Sequence, residues 1–444
     1  MSSAEAPPAG SGPPPQAMDG RLYLRLIGLG ALIGIPAAFC AAAFLALVHE
    51  SQHWLWHDLP DALGTSSPGW YLVIGLPAVG ACVVILARRL LPGDGGHAPL
   101  AGLGGGPTLL RYGPGVVLAA IGTLTFGAVL GPEAPLIAIG SVVGMAFASF
   151  GKVGEKEHAV LATAGSFSAI SALFGGPVVG GVLMMEGGLG MGAALIGVLL
   201  PGFVAAAIGY VIFLGLGSWG GLDSQAIAVP GLPVYNHEHV YDLVTAIVVG
   251  ILAALLIFAV RRAATRVARD GLPRLGMGKL LIAGGLLTGV VAEVADLLGA
   301  NSQDVLFSGQ SSIPALVSQS STKILLVLLL AKAIGYCICL GCGFRGGPVF
   351  PAIFLGVAVG MLAVLWLNVS PTLAVAAGSA AGMTAMTRLL LTSILFSTLL
   401  VGHAGIDAAP ATVLAAVAAW LTMQMLDRRA SVQAVVSAHQ AQEA

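Results

Sequence analysis

Residues 131–135 read Gly131-Pro132-Glu133-Ala134-Pro135, between two stretches, 112–132 and 134–151, that hold no Asp, Glu, Lys or Arg. A helix crosses a bilayer with about 20 predominantly apolar residues, so Glu133 falls within a region of membrane-spanning length. A carboxylate at that depth is costly when ionised and alone, and must be protonated, hydrated or paired. Gly131 and Pro132 break the preceding helix, and Pro135 suits the first turn of the next. That next helix, running through 139–144, starts with unpaired backbone N–H groups and a positive dipole end. Such a tip suits an anion, and the carboxylate can occupy the same place and be displaced. The plainer alternative is a structural Glu that caps its helix.

The same pattern extends along the chain. Uncharged stretches run 26–49, 62–87, 112–132, 134–151, 158–185, 187–222, 243–260, 305–322, 346–387, 389–406 and 408–426. Only 9% of the 444 residues are charged and 57% are apolar, with a mean hydropathy of +0.95. A soluble domain carries about 25% charged residues, so a water-facing surface cannot be built. The net charge of −1 supplies no basic field for nucleic acid. Alternating strands of a membrane β-barrel are absent. The expected fold is an all-α polytopic membrane protein of tilted and broken helices.

Residues 1–20, rich in Pro, Gly and Ser, read as a disordered tail, and 428–444 as a short tail behind the membrane domain at 21–427. The first apolar run reads as a full span rather than a cleavable leader. Arg21, Arg25, Arg88, Arg89, Arg428, Arg429 and a central cluster (Arg261, Arg262, Arg266, Arg269, Arg274, Lys279), read as a loop, mark the cytoplasmic side. Both termini are then cytoplasmic, and a bacterial inner membrane is the simplest location. Segments 49–70 and 217–239 lie opposite, with Trp54, Trp56, Trp70 and Trp219 as an interfacial belt. Cys40, Cys82, Cys337, Cys339 and Cys342 read as buried small side chains rather than metal ligands.

An internal repeat is visible. Pro99, ending Gly93–Pro99, is matched by Pro314, ending Ser308–Pro314, 215 positions on; Gly131 is matched by Gly346 at the same offset. Ala164–Ser166 (AGS) recurs as Ala377–Ser379, 213 positions on. Two halves, 21–220 and 239–427, follow. The charge assignment starts the first inside and the second outside, giving inverted topology, the arrangement in which broken helices point their ends at a substrate. Gly346–Pro351 (GGPVFP) is then the partner of the Glu133 motif, or a helix-packing element of small residues. Ser166 and Ser168 can line a pathway or bond their own backbone.

The order GGHAP, GPEAP, LFGGPVVGGVLMME and GFRGGPVFP on this frame resembles the CLC family of chloride channels and proton-coupled anion exchangers, over about residues 21–427. The resemblance implies that Glu133 is the gating glutamate of G-[KR]-E-G-P, with Gly131 and Ala134 beside it. Gly95–Pro99 stands where G-S-G-I-P binds the central anion, and Gly347–Pro351 stands at G-x-F-x-P, whose amides face it. It also implies a homodimer with one pore per subunit, joined through about 176–216 and 389–425.

Departures are plain. The anion-binding serine falls on Gly96, with His97 next to it, either a substitute donor or a cytoplasm-facing residue. Val349 replaces the middle Phe, with Phe350 one place later, and Pro348 has no N–H. The pore tyrosine falls near His403 or Ala404, so His403 is either a donor to the anion or polar filler at a helix end. The inner proton-transfer glutamate falls on Gly187, beside Glu186, which reads as a structural helix-end carboxylate. Arg345 and Arg388 can draw anions toward a pore, but the default reading is side chains snorkelling to the interface.

The candidate anion-binding set is therefore Gly95, Gly96, His97, Gly131, Ala134, Gly347, Val349, Phe350 and His403, with Glu133 as gate. The expected activity is transport of a small monovalent anion, chloride first, across the lipid bilayer. Conduction is preferred, and exchange with protons stays open. The other classes are a membrane-embedded enzyme using a Glu133–His97 acid–base pair and a degenerate, non-conducting homologue. His49, His53 and His57, at i, i+4 and i+8, read as a polar stripe or a zinc site. No enzyme activity, cofactor, metal or nucleic acid is expected.

Overall fold

The computed structural model describes residues 20–104, 106–150, 154–188, 194–220, 228–236 and 239–443. Residues 1–19 of the expected tail lie outside these. Helices of ten residues or more are α1 (Gly20–His53), α2 (Trp70–Leu90), α3 (Gly113–Leu124), α4 (Glu133–Phe150), α5 (Glu155–Leu173), α6 (Pro177–Gly187) and α7 (Ala194–Gly220). They continue with α8 (Val240–Leu297), α9 (Thr322–Cys342), α10 (Val349–Leu367), α11 (Pro371–Thr387), α12 (Leu390–Val401) and α13 (Ala409–Glu443). Among the described residues eight helical segments are long and apolar enough to cross a membrane. The one isolated extended pairing there is an antiparallel bridge between Gly131 and Gly347. The all-α polytopic fold is as expected.

Local sequence explains the ends. Ser370 accepts from the Thr372 N–H at 3.3 Å while Pro371 opens α11. Ser321 caps α9 in the same way, and Gly343, at φ 96°, ends it in the left-handed conformation. The centre of the molecule is α10 and α11, whose residues Val349–Ala363 and Thr372–Met386 are all buried. Helices apolar all round take that position.

Lipid is as apolar as a leucine side chain, so helix association here rests on close packing of small residues. A Cβ at Gly356, Gly378 or Gly382 would run into the facing backbone of the α10–α11 pair. Gly140, Gly144 and Gly165 bring α4 and α5 together in the same way. Gly140 and Gly356 are 216 positions apart, and Gly165 and Gly378 are 213 apart, the latter in the register of the repeated AGS. Val79, Leu86, Val248 and Leu252, on α2 and α8, are exposed, as the outer face of a multi-pass membrane protein requires.

Several expectations are corrected. The arginine-rich segment is mostly helical rather than a long loop: Arg261–Arg274 are helical, and the break is confined to Gly276 (φ 70°, ψ 161°), where two helices within α8 meet at a kink. The uncharged stretch 305–322 is not a span; it holds Ile313–Val317 and turns. The real span, α9, contains Lys323 and Lys332 and so fails a test for uncharged runs. Trp56 is buried, donating from Nε1 to the Thr125 carbonyl at 3.0 Å, whereas Trp54 and Trp70 are exposed; the Trp219 side chain lies outside the described residues. Cys40 and Cys82 are exposed on α1 and α2, where an apolar outer face accepts a thiol as readily as the interior, while Cys339 and Cys342 are buried. The tail beyond 427 continues α13.

Candidate functional site

Gly131 donates to the Gly347 carbonyl at 2.7 Å, and Gly347 returns the bond to Gly131 at 2.5 Å. In both segments one proline follows and a helix begins two residues after the glycine: α4 at Glu133, α10 at Val349. The pairing register is therefore 216, not 215; the doubled Gly346-Gly347 places its second glycine in the bridge.

Glu133 is fully buried. Its Oε1 accepts the Phe350 N–H at 2.8 Å. Oε2 has no hydrogen-bond partner. The acid thus sits on the first-turn amides of α10, where a helix presents unpaired donors and positive partial charge. A Cβ on Gly131 or Gly347 would collide with this carboxylate, so the glycines permit the approach. Phe350 stacks on Phe174 at 5.7 Å, and Phe396 packs edge-on to both, at 6.1 and 5.3 Å. This aromatic triad joins the end of α5 to α10 and α12.

The segment before α10 is clamped. The Tyr336 hydroxyl donates to the Pro348 carbonyl at 2.6 Å, and the Arg345 N–H donates to Thr123 Oγ1 at 3.1 Å. The buried Arg345 guanidinium pairs with the Asp94 carboxylate and donates to its carbonyl at 2.9 Å. Arg88 adds two bonds to Asp94, at 2.8 and 2.9 Å, and one to the Gly343 carbonyl at 3.0 Å. Burial alone would raise the Asp94 pKa, but hydrogen bonds and charge from Arg88 and Arg345 outweigh it and hold it below the usual value. Arg345 is therefore not a snorkelling side chain. It ties the Gly93–Pro99 break to the α9–α10 turn. Gly95 lies in this knot at φ 70°, with Ala119, Arg88 and Arg345 packed around the place a Cβ would take. Arg388 pairs with Asp427 in the middle of α13.

Of the expected set, Gly131, Gly347, Val349 and Phe350 converge on Glu133, and Ala134 is buried beside it. Gly96 sits at φ 96° against Val116. His97 and His403 are exposed and share no hydrogen bond with the buried acid, so the Glu133–His97 pair of the enzyme reading is not formed. Ser166 and Ser168 donate to the Ile137 and Gly34 carbonyls, both at 2.8 Å. Glu186 accepts the Leu391 and Thr392 N–H groups, at 2.8 and 2.7 Å, and the Thr392 hydroxyl at 2.5 Å; it caps α12. His53 stacks near His57 at 5.1 Å and bonds Asp58 at 3.2 Å, but no metal-binding group of three or more His, Cys, Asp or Glu occurs among the described residues.

Sequence reading missed Tyr336 and Lys332. Lys332 is fully buried in α9, donating to the Asp304, Leu306 and Phe307 carbonyls at 3.0, 2.7 and 3.1 Å. Three acceptors match the three N–H groups of an ammonium. The available signal was spacing: Lys332, Tyr336 and Cys339 lie at i, i+4 and i+7, one face of an apolar helix.

The family profile described as "Voltage gated chloride channel" matches residues 97–424. A protein of Escherichia coli O139:H28 (strain E24377A / ETEC), named "Putative ion-transport protein YfeO", is 29% identical over 350 residues, covering 76% of this chain and 79% of its own. The fold is similar to that of a slow cyanobacterial Cl−/H+ antiporter (TM-score 0.72, 19% identity, 91% of this chain and 98% of that one). It is similar also to a CLC-type fluoride/proton antiporter (TM-score 0.71, 18% identity, 91% and 96%). With the Glu133 site built on the bridged helix tips and the profile spanning most of the sequence, the chain belongs to the voltage-gated chloride channel (CLC) family.

Proposed function

We propose that the protein carries a small monovalent anion, chloride first, through a pore in which Glu133 and the anion compete for the first-turn amides of α10. The observation that carries this reading is the 2.8 Å bond from the Phe350 N–H to Glu133 Oε1. Backbone amides supply partial positive charge without a full charge that would trap the ion, so binding stays weak enough for exit. The ionised carboxylate excludes the anion both by occupying its donors and by like charge; protonation weakens both effects.

The reading favours conduction over tight proton coupling. Its support is Glu186, whose carboxylate is engaged at the α12 N-terminus, next to Gly187 where exchangers carry an inner acid. The functional unit is a homodimer joined through α6, α7, α12 and α13, whose outer faces expose Val178, Ile196, Leu391 and Met425. Both termini are cytoplasmic in a bacterial inner membrane, with the arginine-rich end inside.

Chloride efflux from liposomes tests the gate. The parent protein should conduct more as pH falls, and Glu133→Gln and Glu133→Ala should conduct at all pH values with a flat response. Equal flux and equal pH response in all three proteins would remove Glu133 from the gate.

A further inference from the structure

We propose that Tyr336 is a positioning residue for the anion site: its hydroxyl fixes the Pro348–Val349 peptide so that the amide, and not the carbonyl, faces the anion. The inference rests on the reading of the α10 tip as the anion site and names what keeps that tip selective.

The argument is one of peptide geometry. A trans peptide is planar, and its C=O and N–H point in opposite directions; the described residues contain no cis peptide bond. The Pro348 carbonyl and the Val349 N–H belong to the same plane. Tyr336, fully buried in α9, donates to that carbonyl at 2.6 Å. The Val349 N–H, anti to that carbonyl, is thereby turned away from Tyr336, next in the chain to the Phe350 N–H that meets Glu133 Oε1 at 2.8 Å. A rotation of this one peptide would replace a donor at the anion site with a carbonyl oxygen, which repels an anion and attracts a cation. Pro348 has no N–H of its own to anchor the turn, and the bonds that Gly347 exchanges with Gly131 stop one residue short of this peptide. A hydroxyl reaching in from a neighbouring helix supplies the missing restraint.

The residue is otherwise hard to explain. Tyr336 lies in an apolar span, and a Phe would fill the same space without a polar atom to satisfy. The hydroxyl has one partner, and that partner is the peptide at the site.

The test is Tyr336→Phe, which removes one oxygen and keeps the ring, alongside 4-aminophenylalanine at the same position, which restores an N–H donor. Both are reconstituted in liposomes with the parent and checked for melting temperature. Tyr336→Phe should raise the half-saturating chloride concentration about tenfold with a smaller change in maximal flux. It should also lower the chloride-to-potassium permeability ratio read from the reversal potential. The amino variant should recover most of both. A Tyr336→Phe protein with parental half-saturation and permeability ratio overturns the proposal, as does an amino variant as impaired as the Phe variant. A fall in maximal flux and melting temperature alone, with half-saturation and ratio unchanged, assigns Tyr336 a packing role and overturns it too. A parent protein that passes no anion overturns the pore reading and this inference together, whereas a conducting parent with an unaffected Phe variant overturns only the inference.

Discussion

Gly131 and Gly347, 216 positions apart, exchange both backbone hydrogen bonds and hold the starts of α4 and α10 face to face. The Glu133 carboxylate fills the space in which a Cβ on either glycine would lie. Gly347→Ala should therefore evict the carboxylate from the α10 amides. Its pH response in liposome flux should be as flat as that of Glu133→Ala, with stability lowered by about 1–3 kcal/mol, the usual effect of overpacking. A Gly347→Ala protein with the parental pH profile contradicts the steric reading.

Asp94 holds Arg88 and Arg345 together across the turn before α10. Its pKa is lowered in the folded protein, so its contribution to stability is present above the unfolded value of about 4 and is lost as pH falls through the lower folded value. The parent's melting temperature should therefore drop on acidification in that range. Asp94→Asn should melt lower at neutral pH, and the gap should close in acid. A gap independent of pH contradicts the assignment.

Lys332 satisfies three carbonyls from one short segment. Lys332→Met leaves them without a donor, each unsatisfied buried group costing about 1–3 kcal/mol, offset in part by the relief of a buried charge. A fall of several degrees in melting temperature is expected in detergent, and an unchanged value argues against the tether.

Glu186 caps α12 through the Leu391 and Thr392 amides. Glu186→Gln should lose about 1 kcal/mol of stability, the scale of a helix cap, and leave the reversal potential under opposing chloride and proton gradients unmoved. A shift of that potential would make Glu186 a proton relay rather than a cap.

The part of this architecture legible in the sequence was the part written in Gly and Pro. Gly131-Pro132 and Gly347-Pro348 each announce a broken helix, and of the three acids flanked by uncharged runs (Glu133, Glu186 and Asp407) only Glu133 stands beside such a break. The AGS repeat was read only as a sign of two related halves; its Gly165 and Gly378 lie at the α4–α5 and α10–α11 contacts, where close approach demands small residues. Register was less legible: with two successive glycines at 346 and 347, only backbone geometry says which one pairs. The arginine-rich segment does hold a break, at Gly276, but its extent was overestimated because charge was taken as a loop signal, although Arg and Lys are good helix formers. The α9 span was hidden by Lys332, whose charge is compatible with burial only because three carbonyls from a distant turn surround it. His97 and His403, chosen for their chemistry, are exposed and share no hydrogen bond with the acid. Tyr336 escaped notice because its role depends on a peptide in another helix.

The most direct measurement is anomalous diffraction from bromide-soaked crystals of the parent protein and of Glu133→Ala near neutral pH. The account predicts a bromide peak in Glu133→Ala at hydrogen-bonding distance from the Val349 and Phe350 amides, in the place the carboxylate holds in the parent, and no peak there in the parent. A variant with no bromide at those amides, or a parent that binds bromide there with Glu133 still in place, would contradict the competition between acid and anion.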